Sequence, residues 1–463
     1  MLRVAVVGSG PSGIYTARAL VEQTRVPGVR VDVLDRLPCP YGLVRYGVAP
    51  DHEKIKSLQD SLRTVLEDER VEFVGNVAVG AAGLGPDRLL ELYHAVVYCV
   101  GAAADRALGI PGEDLPGSHS ATEFVAWYSA HPDAPPAGVP LDRPCAVVIG
   151  LGNVALDVTR ILLRGAAALR GTDLPEPALG ALAASAVREV SVVGRRGPAG
   201  ARFTTKELRE LGALPGVDVC VDEADLAAEP AFADPAAVPA VVRRNLSVVR
   251  EWAARPPAGH DRRVRLRFFL RPVELLERGG RVAGVRFERT GPDGRGGIRG
   301  TGRHEDVPAG LVLRAVGYRG VPIPGLPYDA ERGTVPNAAG RVLRDGVPSP
   351  GEYVAGWIKR GPTGVIGSNR PCAKETAASL LADAAALDLA ARPLPPDPVA
   401  ALRASGLHPV RWPGWLAIER AETALGRELG RGRVKIAEWA GLLAAAGAAQ
   451  GAAGGAADGD GGE

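Results

Sequence analysis

Two glycine turns, each lying between an apolar strand and a helix, constrain the possible folds of this chain more than any other feature. The first is Gly8-Ser9-Gly10-Pro11-Ser12-Gly13, between apolar residues 2–7 and helical spacing at residues 14–23. A second apolar run at residues 29–34 completes a β-α-β unit. Glycine permits the tight turn and lets the backbone approach a pyrophosphate group, which the N–H donors of the helix N-terminus can bind. The alternative is a glycine turn that serves only packing.

The same pattern returns later in the chain. Apolar residues 146–149 lead into Gly150-Leu151-Gly152-Asn153-Val154-Ala155, a helical segment continues to about residue 164, and an apolar strand follows at residues 190–193. Two copies of one β-α-β unit predict an α/β protein with two Rossmann-like nucleotide-binding domains.

Two apolar strands that end in glycine, at residues 95–101 and 310–317, indicate how these domains connect. Each would close one domain and return the chain to the other, so we predict that the second domain is inserted into a discontinuous first domain. Residues 444–463 are rich in Ala, Gly and Asp without a periodic apolar face, and are predicted to form a disordered tail. The first domain is placed at residues 1–105 and 326–443, and the inserted domain at residues 106–325.

The residue that follows the second strand distinguishes the two units. In the first unit this is Asp35, where a carboxylate can accept a hydrogen bond from a ribose hydroxyl. In the second unit Gly194-Arg195-Arg196 takes this place and contains no acid. Two guanidinium groups there would pair with the 2′-phosphate of NADP, which NAD lacks. The alternative is that both arginines are surface cations on a strand-end loop.

Two dinucleotide sites in one chain indicate electron transfer between two cofactors. Nicotinamide moves hydride only, whereas a flavin accepts hydride and releases single electrons, so one site is predicted to hold FAD and the other NADP. A third glycine-rich segment, residues 361–369, precedes a predicted helix from about Pro371. Its backbone N–H groups could stabilise a reduced flavin, although an ordinary loop before a helix would have the same composition.

Composition excludes several other classes of protein. Lys+Arg 55 against Asp+Glu 53 gives a net charge of +2, which disfavours nucleic acid as the main partner. The five cysteines contain no C-x-x-C pair and no metal-ligand spacing, which argues against a disulfide framework and a zinc site. No apolar stretch of about 18 residues and no signal-peptide pattern occurs, so we expect a cytoplasmic protein without membrane insertion.

The chain resembles the adrenodoxin reductase type of ferredoxin–NADP reductase over nearly all of residues 1–440. The resemblance depends on both glycine turns, on Gly194-Arg195-Arg196-Gly197-Pro198 and on two longer motifs, residues 37–52 (LPCPYGLVRYGVAPDH) and 356–367 (GWIKRGPTGVIG). It implies an FAD-dependent NADPH:ferredoxin oxidoreductase, in which FAD takes hydride from NADPH and passes single electrons to a ferredoxin.

The resemblance also assigns the two sites, with FAD at the first glycine turn and NADP in the inserted domain. The family more often has Glu at the position of Asp35 and Thr at that of Cys39. The shorter side chain of Asp35 would reach the ribose through water. The implied FAD contacts are Gly8, Ser9, Gly10, Pro11, Gly13, Asp35, Leu43, Val79, Trp357, Gly364, Val365 and Ile366. The implied NADP contacts are Arg106, Gly152, Asn153, Val154, Arg195, Arg196 and Glu207, with Gly364 near the nicotinamide.

Three acid–base residues are candidates for proton handling near the flavin. The resemblance implies His52 and Glu210, and Asp157 lies one helical turn beyond Asn153. His52 and Glu210 each have a structural alternative, since Asp51 could cap a helix that starts beside His52, and Glu210 could lie on a solvated helix face. Because hydride transfer depends mainly on positioning, loss of either group is expected to slow turnover without abolishing it.

A run of cations suggests a partner. Between residues 243 and 271, nine arginines stand against two acidic residues. Since ferredoxins are generally acidic, a basic face that includes Arg243, Arg244 and Arg250 would steer and orient a small acidic ferredoxin. The alternative is an ordinary solvated surface.

Other functions fit the sequence less well. A disulfide reductase of the same two-domain plan would need a C-x-x-C or C-x4-C pair, which the chain lacks. An NADPH-fed flavin subunit of a larger oxidoreductase assembly, such as glutamate synthase, is the main alternative, although the match to single-subunit reductases over the whole chain argues against it. A nucleotide-sensing binding module would lack the flavin environment, and therefore the visible flavin spectrum.

Overall fold

The computed structural model describes residues 1–80, 84–387 and 394–454, with the side chains of the last helix described as far as residue 447. The described chain forms two compact units. Unit 1 contains residues 1–104 and the described residues from 318 onward, and unit 2 contains residues 105–317. All five cysteines are free thiols. No described helix combines the length and the apolar character needed to cross a membrane.

Unit 1 begins with alternating strands and helices and is completed by the chain that follows unit 2. Its first elements are β1 (Leu2–Val7), α1 (Pro11–Val21), β2 (Val29–Leu34), α2 (Leu43–Tyr46), α3 (Glu53–Lys56), α4 (Leu58–Leu66), β3 (Val71–Gly75), α5 (Pro86–Leu92), β4 (Ala95–Tyr98) and β5 (Ala104–Asp105), which ends at the first residue of unit 2.

Unit 2 repeats the alternation and then adds three long strands. Its elements are β6 (Ser118–Ser120), α6 (Ala121–Tyr128), β7 (Cys145–Ile149), α7 (Asn153–Leu163), α8 (Ala166–Leu169), α9 (Glu176–Ala183), β8 (Glu189–Val193), α10 (Thr205–Gly212), β9 (Val217–Val221), α11 (Glu223–Leu226), α12 (Ala240–Ala254), β10 (Arg262–Arg267), β11 (Leu270–Arg278), β12 (Arg281–Pro292), β13 (Ile298–Pro308) and β14 (Leu311–Arg314).

The chain then returns to unit 1. The remaining elements are β15 (Tyr318–Arg319), β16 (Asn337–Ala338), β17 (Arg341–Arg344), β18 (Val347–Val354), α13 (Trp357–Arg360), α14 (Asn369–Asp383), α15 (Pro398–Ala404), β19 (Val410–Arg411), α16 (Trp412–Glu428) and α17 (Trp439–Gly454).

The core of unit 1 is an eight-stranded sheet in the order β16-β17-β18-β4-β1-β2-β3-β19. The five strands from β18 to β3 are parallel, and the outer strands pair antiparallel. The central strands are almost entirely apolar because both faces of a parallel sheet are covered. On one face Val4 and Val6 pack with Ile14 of α1, and on the other Ala5 and Val7 lie in one cluster with the side chains of α5.

Unit 2 contains a six-stranded parallel sheet in the order β6-β14-β7-β8-β10-β9. Helices α6, α7, α10 and α12 cover one face. The other face is covered by the antiparallel sheet β11-β12-β13, whose Leu270, Val285 and Phe287 pack with Ile149 and Val193 at the ends of the parallel strands. This second sheet therefore lies beneath the edge at which a Rossmann-like domain binds its nucleotide.

Three details differ from the sequence predictions. The apolar and cationic run V-R-L-R-F-F-L at residues 264–270 predicts one strand, but β10 and β11 belong to different sheets, and Phe269 between them adopts a left-handed φ of 55°. The inserted domain was placed up to residue 325, whereas unit 2 ends at Gly317. The reason is that Ile323 and Leu326 pack into a core cluster of unit 1 with Leu89.

The third difference concerns the predicted disordered tail from residue 444. Helix α17 continues through this point to Gly454, so the prediction is wrong for the described part of the tail. Alanine is the strongest helix former, and Leu442 and Ala446 are buried in the same cluster as Trp415 of α16, which supplies the packing that the composition did not reveal. Residues 455–463 of the predicted tail lie outside the described residues.

Candidate nucleotide-binding sites

The first glycine turn follows β1 and leads into α1. Gly8 has a φ of +107°, and a Cβ atom there would lie 2.6 Å from the carbonyl oxygen of Cys99. A Cβ atom on Gly13 would overlap the carbonyl oxygen of Gly8. Only glycine therefore allows α1 to start this close to the strand. Pro11 is the first residue of the helix, a position at which an N–H group would have no partner within the helix.

Asp35, at the end of β2, is bonded to the turn itself. Its Oδ2 atom accepts hydrogen bonds from the backbone N–H of Ser9 at 2.8 Å and from Ser9 Oγ at 2.5 Å, and Oδ1 accepts one from Leu37 N–H at 2.9 Å. Burial raises the pKa of Asp35, and the Ser9 bonds oppose that rise. Asp35 thus fixes the shape of the turn, and its predicted bond to a ribose stays a prediction.

The motif at residues 37–52 closes over the same turn. Tyr41 N–H donates to the carbonyl oxygen of Ser9 at 3.0 Å, and an added Cβ atom on Gly42 would lie 3.0 Å from Cα of Gly10. This close approach of two glycines brings Leu43 beside the turn, where its side chain is 40% exposed. The proline-rich motif is therefore part of the first site, as the resemblance implies. Val79 is half-buried after β3.

The segment at residues 356–369 packs on the first turn, and together they supply two polar atoms that suit a bound flavin. A Cβ atom on Gly356 would overlap Ser12 Oγ, so α13 lies directly against α1. Ser12 Oγ and Trp357 Nε1 are buried and have no hydrogen-bond partner among the described residues. Buried polar groups rarely stay unpaired, so a ligand with donors and acceptors fits this place. The neighbouring Gly364 has a φ of +84°, Val365 is 64% exposed and Ile366 begins a short 3-10 turn.

The second glycine turn has the same backbone design within unit 2. Gly150 has a φ of +142°, and a Cβ atom there would overlap the carbonyl oxygen of Ala315 after β14. Gly152 precedes α7 with open space around it, as a phosphate-binding turn requires. Asn153 Oδ1 accepts a hydrogen bond from Thr204 N–H at 2.8 Å, and Val154 is half-buried in the first turn of the helix.

Arg195 and Arg196 follow β8 on the same edge of the parallel sheet as the second turn. Both side chains are exposed, and neither has a salt-bridge partner in the part of the chain that the structure describes. A Cβ atom on Gly194 would overlap the side chain of Leu151, so the arginine-bearing loop packs directly on the glycine turn. The two cations are therefore available to an anionic ligand bound at that turn.

Comparison with known proteins agrees with this arrangement. NADPH-ferredoxin reductase FprA of Mycobacterium tuberculosis is 46% identical over 454 residues, covering 95% of this chain and 98% of the relative. The mitochondrial NADPH:adrenodoxin oxidoreductase of Arabidopsis thaliana is 39% identical, covering 96% of this chain and 95% of the relative. This chain belongs to the adrenodoxin reductase-type ferredoxin–NADP reductases.

The structural comparison gives the same result. A solved structure of M. tuberculosis FprA in complex with NADPH matches this reductase with a TM-score of 0.90 at 45% identity, covering 96% of this chain and 99% of that one. No protein-family model matches the chain. The predicted family, the two-domain α/β fold, the oxidoreductase class and the pair of cofactors FAD and NADP are confirmed.

Two of the reductase's candidate acid–base residues lie in a charged cluster of unit 2. Arg160, buried on α7, pairs with Asp157 at 2.8 Å and with Glu207 on α10 at 3.6 Å. Burial and the neighbouring carboxylates of Asp157 and Glu210 raise the pKa of Glu207 to about 7. Glu210 lies one turn further along α10 and pairs with Lys206 at 3.4 Å. Asp157, Glu207 and Glu210 therefore belong to one electrostatic group.

The remaining candidates are His52 in unit 1 and Arg106 in unit 2. His52 is buried in unit 1, and its backbone N–H donates to the carbonyl oxygen of Ala49 at 3.0 Å. Helix α3 begins at Glu53, so His52, and not Asp51, is the residue that precedes the helix. Arg106 is exposed in unit 2, where its backbone N–H donates to the carbonyl oxygen of Gly317 at 3.0 Å.

Sequence reasoning missed several residues that shape these sites. Gly42 and Gly356 are required by close approaches to Gly10 and Ser12, and Ser12 itself was treated only as part of the glycine turn. Thr204, which caps α10 and bonds Asn153, was also missed. The spacing T-x-x-E at residues 204–207 is a helix-start pattern that could have revealed this cap.

Proposed function

We propose that this reductase oxidises NADPH bound in unit 2, and that FAD bound in unit 1 feeds single electrons to a small acidic ferredoxin. The observation that carries the proposal is the pair Arg195 and Arg196, two exposed cations without a described salt-bridge partner, packed on the second glycine turn. When bound, the flavin supplies the conversion of a two-electron hydride into single electrons.

In unit 1 the chain would hold FAD through the backbone of the first turn. The N–H groups at the start of α1 and the positive end of that helix suit the pyrophosphate, and Asp35 keeps Ser9 in place. Ser12 Oγ and Trp357 Nε1 are the buried polar atoms that still lack a partner among the described residues. Residues 364–366 and Leu43 complete the proposed contacts, as the family resemblance implies.

In unit 2 the chain would hold NADPH through the second turn and the arginine loop. Gly152, Asn153 and Val154 present the start of α7 to the pyrophosphate, and Arg195 and Arg196 receive the 2′-phosphate. Arg106 and Glu207 are the further proposed contacts. The Glu207 carboxyl group, with a pKa of about 7, can hold a proton near neutral pH.

His52, Glu210 and Asp157 are proposed to help position the reactants and to move protons beside the flavin. Hydride transfer itself requires no proton donor, so their loss should reduce turnover and leave a measurable rate. That these residues take part in catalysis is a prediction, and variants at each position can test it.

The proposed docking surface for ferredoxin lies between α10 and α12. The nine arginines of the cationic run do not form one face, since Arg265 pairs with Glu189 at 2.9 Å and Arg267 with Asp225 at 2.8 Å. Helix α12 instead carries the exposed arginines Arg243, Arg244 and Arg250. Arg244 lines a groove of about 640 Å³ together with Lys206, Arg209 and the 41%-exposed Val241.

This groove suits an acidic partner because three cations, set against the single carboxylate of Glu210, surround a small apolar centre. Lys206 and Arg209 were missed because they alternate with glutamates along α10, so their segment has no net charge in the sequence. An NADPH-fed flavin subunit of a larger assembly stays the alternative to this proposal. A cytoplasmic location is part of the same proposal.

The experiment that tests the coenzyme assignment compares Arg195→Ala and Arg196→Ala with wild type. A charge-assisted bond to a phosphate contributes about 1.5–3 kcal/mol, so each variant should raise KM for NADPH about tenfold to a hundredfold. KM for NADH should stay nearly unchanged. The exposed Arg278, at the end of β11, provides the matched control Arg278→Ala. Equal losses with both coenzymes would show that the arginines do not bind the 2′-phosphate.

A further inference from the structure

The loop that carries Arg195 and Arg196 is held by the antiparallel sheet β11-β12-β13. We propose that Thr290 and Phe269, which lie outside both glycine turns, are positioning residues that set the preference for NADPH over NADH by fixing the backbone of this loop. The inference rests on the proposed role of the two arginines, and it identifies what makes that role possible.

Direct hydrogen bonds connect the sheet to the loop. Thr290 Oγ1 donates to the carbonyl oxygen of Arg195 at 2.7 Å, and Phe269 N–H donates to the carbonyl oxygen of Arg196 at 3.2 Å. Thr290 N–H in turn donates to the carbonyl oxygen of Phe269 at 2.8 Å. Gly194 N–H donates to the carbonyl oxygen of Arg267 at 3.0 Å, and the carbonyl oxygen of Gly194 accepts a hydrogen bond from Leu270 N–H at 3.0 Å. The peptide groups on either side of both arginine side chains are therefore fixed.

Local irregularities in the strands place these two donors. The pairing of β12 with β13 shifts register between Glu288 and Thr290, and such a bulge redirects a side chain from the regular alternation. Phe269 takes its left-handed φ of 55° immediately before β11. A conformation that is unfavourable for a bulky residue persists only where the surroundings determine it, and here it directs the N–H of Phe269 at the loop.

The far end of the loop is held by packing. A Cβ atom on Gly197 would collide with the ring of Phe269 and with Glu229 Oε2. The same Glu229 oxygen accepts a hydrogen bond from Ala199 N–H at 3.1 Å. Beneath the loop, the buried Asp225 accepts hydrogen bonds from Arg267 Nε at 2.8 Å and from Phe268 N–H at 3.1 Å, which anchors the chain that leads into Phe269.

The position of this backbone matters because both guanidinium groups are exposed. Lacking a described salt-bridge partner, each side chain is located by its own peptide group and by the phosphate that it meets. A loop that shifts or fluctuates would lose the charge-assisted bonds to the 2′-phosphate and leave the pyrophosphate contacts at the second turn intact. Loosening the loop should therefore lower affinity for NADPH selectively.

The test compares binding of 2′,5′-ADP and 5′-AMP by calorimetry on the flavin-loaded reductase, together with KM for NADPH and NADH. Thr290→Val removes the hydroxyl donor at nearly constant volume, and should weaken 2′,5′-ADP about threefold to tenfold while 5′-AMP changes by less than about twofold. Thr290→Ser keeps the donor and should remain close to wild type. Thr172→Val is the matched control, since Thr172 Oγ1 donates at 2.7 Å to the Leu169 carbonyl at the end of α8, outside the sheet that holds the loop.

Gly197→Ala provides a second variant that disturbs the loop from its own side, and the same selective loss is expected. The proposal is overturned if Thr290→Val weakens both nucleotides equally, if it weakens neither, or if Thr172→Val produces the same effect. Arg195→Ala, measured in parallel, distinguishes failure of the positioning role of Thr290 from failure of the phosphate assignment of the arginines. If Arg195→Ala loses 2′,5′-ADP selectively and Thr290→Val does not, the positioning role alone is wrong; if Arg195→Ala shows no such selectivity, the phosphate assignment itself is wrong.

Discussion

Glu422→Gln should destabilise unit 1 severely, because Glu422 is the acidic centre of a buried ion-pair network. Glu422 is fully buried and accepts hydrogen bonds from Arg45 Nη2 at 2.5 Å, from Arg433 Nε at 2.8 Å and from Ile436 N–H at 3.0 Å. The Arg45 side chain is 1% exposed and lies over the ring of Trp415, with 5.1 Å between its guanidinium carbon and the ring centroid. The network therefore ties helix α2 of the 37–52 motif to helix α16.

The size of the destabilisation depends on which of the two arginines, Arg45 or Arg433, can reach water. Arg433 is 24% exposed and can be solvated once its partner is neutral, whereas Arg45 cannot. Leaving a buried charge unpaired costs about 3–5 kcal/mol, so the loss should be at least about 3 kcal/mol. Burial alone would raise the pKa of Glu422, but the guanidinium groups of Arg45 and Arg433 hold this pKa below its ordinary value. The stabilisation is therefore present above the ordinary pKa of a glutamate and is lost as the pH falls through the lower folded value.

The assay is urea unfolding of the flavin-loaded protein, combined with hydrogen–deuterium exchange of peptides that cover residues 41–46 and 412–428. The exchange data assign the loss to unit 1, which a global transition of a two-unit chain would not do. Glu419→Gln is the control, since Glu419 is 25% exposed and pairs at the solvated edge of the network with Arg63 at 2.9 Å and Arg433 at 3.4 Å, and it should cost less than about 1 kcal/mol. A loss at Glu422 no larger than that at Glu419 would refute the reasoning.

Three further predictions concern cofactor retention, pH and the partner. Asp35→Ala should lower the FAD content measured after gel filtration, because the turn loses both Ser9 bonds; full retention would show that Asp35 is dispensable. Burial raises the pKa of Asp32 to about 6, so the wild-type protein should lose stability as the pH rises from about 4 to 6, whereas the Asp32→Asn variant should not. In urea unfolding at pH 8, the two proteins should therefore differ in free energy of unfolding by up to about 3 kcal/mol. Arg209→Glu combined with Arg244→Glu should raise KM for ferredoxin about tenfold at low salt and spare ferricyanide reduction. Loss of both activities together would point to misfolding and not to docking.

The strands and helices around the glycine turns were predictable because a parallel sheet imposes a simple pattern. Strands β1 and β2 coincide with the apolar runs at residues 2–7 and 29–34, and helix α7 ends at Leu163, close to its predicted end at about residue 164. The errors occur where packing overrides composition. Helix α17 contains mostly Ala and Gly, and only its contact with α16 distinguishes it from a disordered tail.

The residues that complete the sites were not predictable because they act across the fold and not along the sequence. Gly42 is an ordinary turn residue until its distance from Gly10 is known, and Thr290 is one of many threonines in strands until its hydroxyl is found on the Arg195 carbonyl. The recognisable motif supplied the charges that a 2′-phosphate needs. The surrounding sheet supplies their position, and a strand bulge with one left-handed residue leaves no periodic signal in the sequence. In the proposed coenzyme site, specificity is thus divided between residues that a motif reveals and residues that only the tertiary structure connects to them.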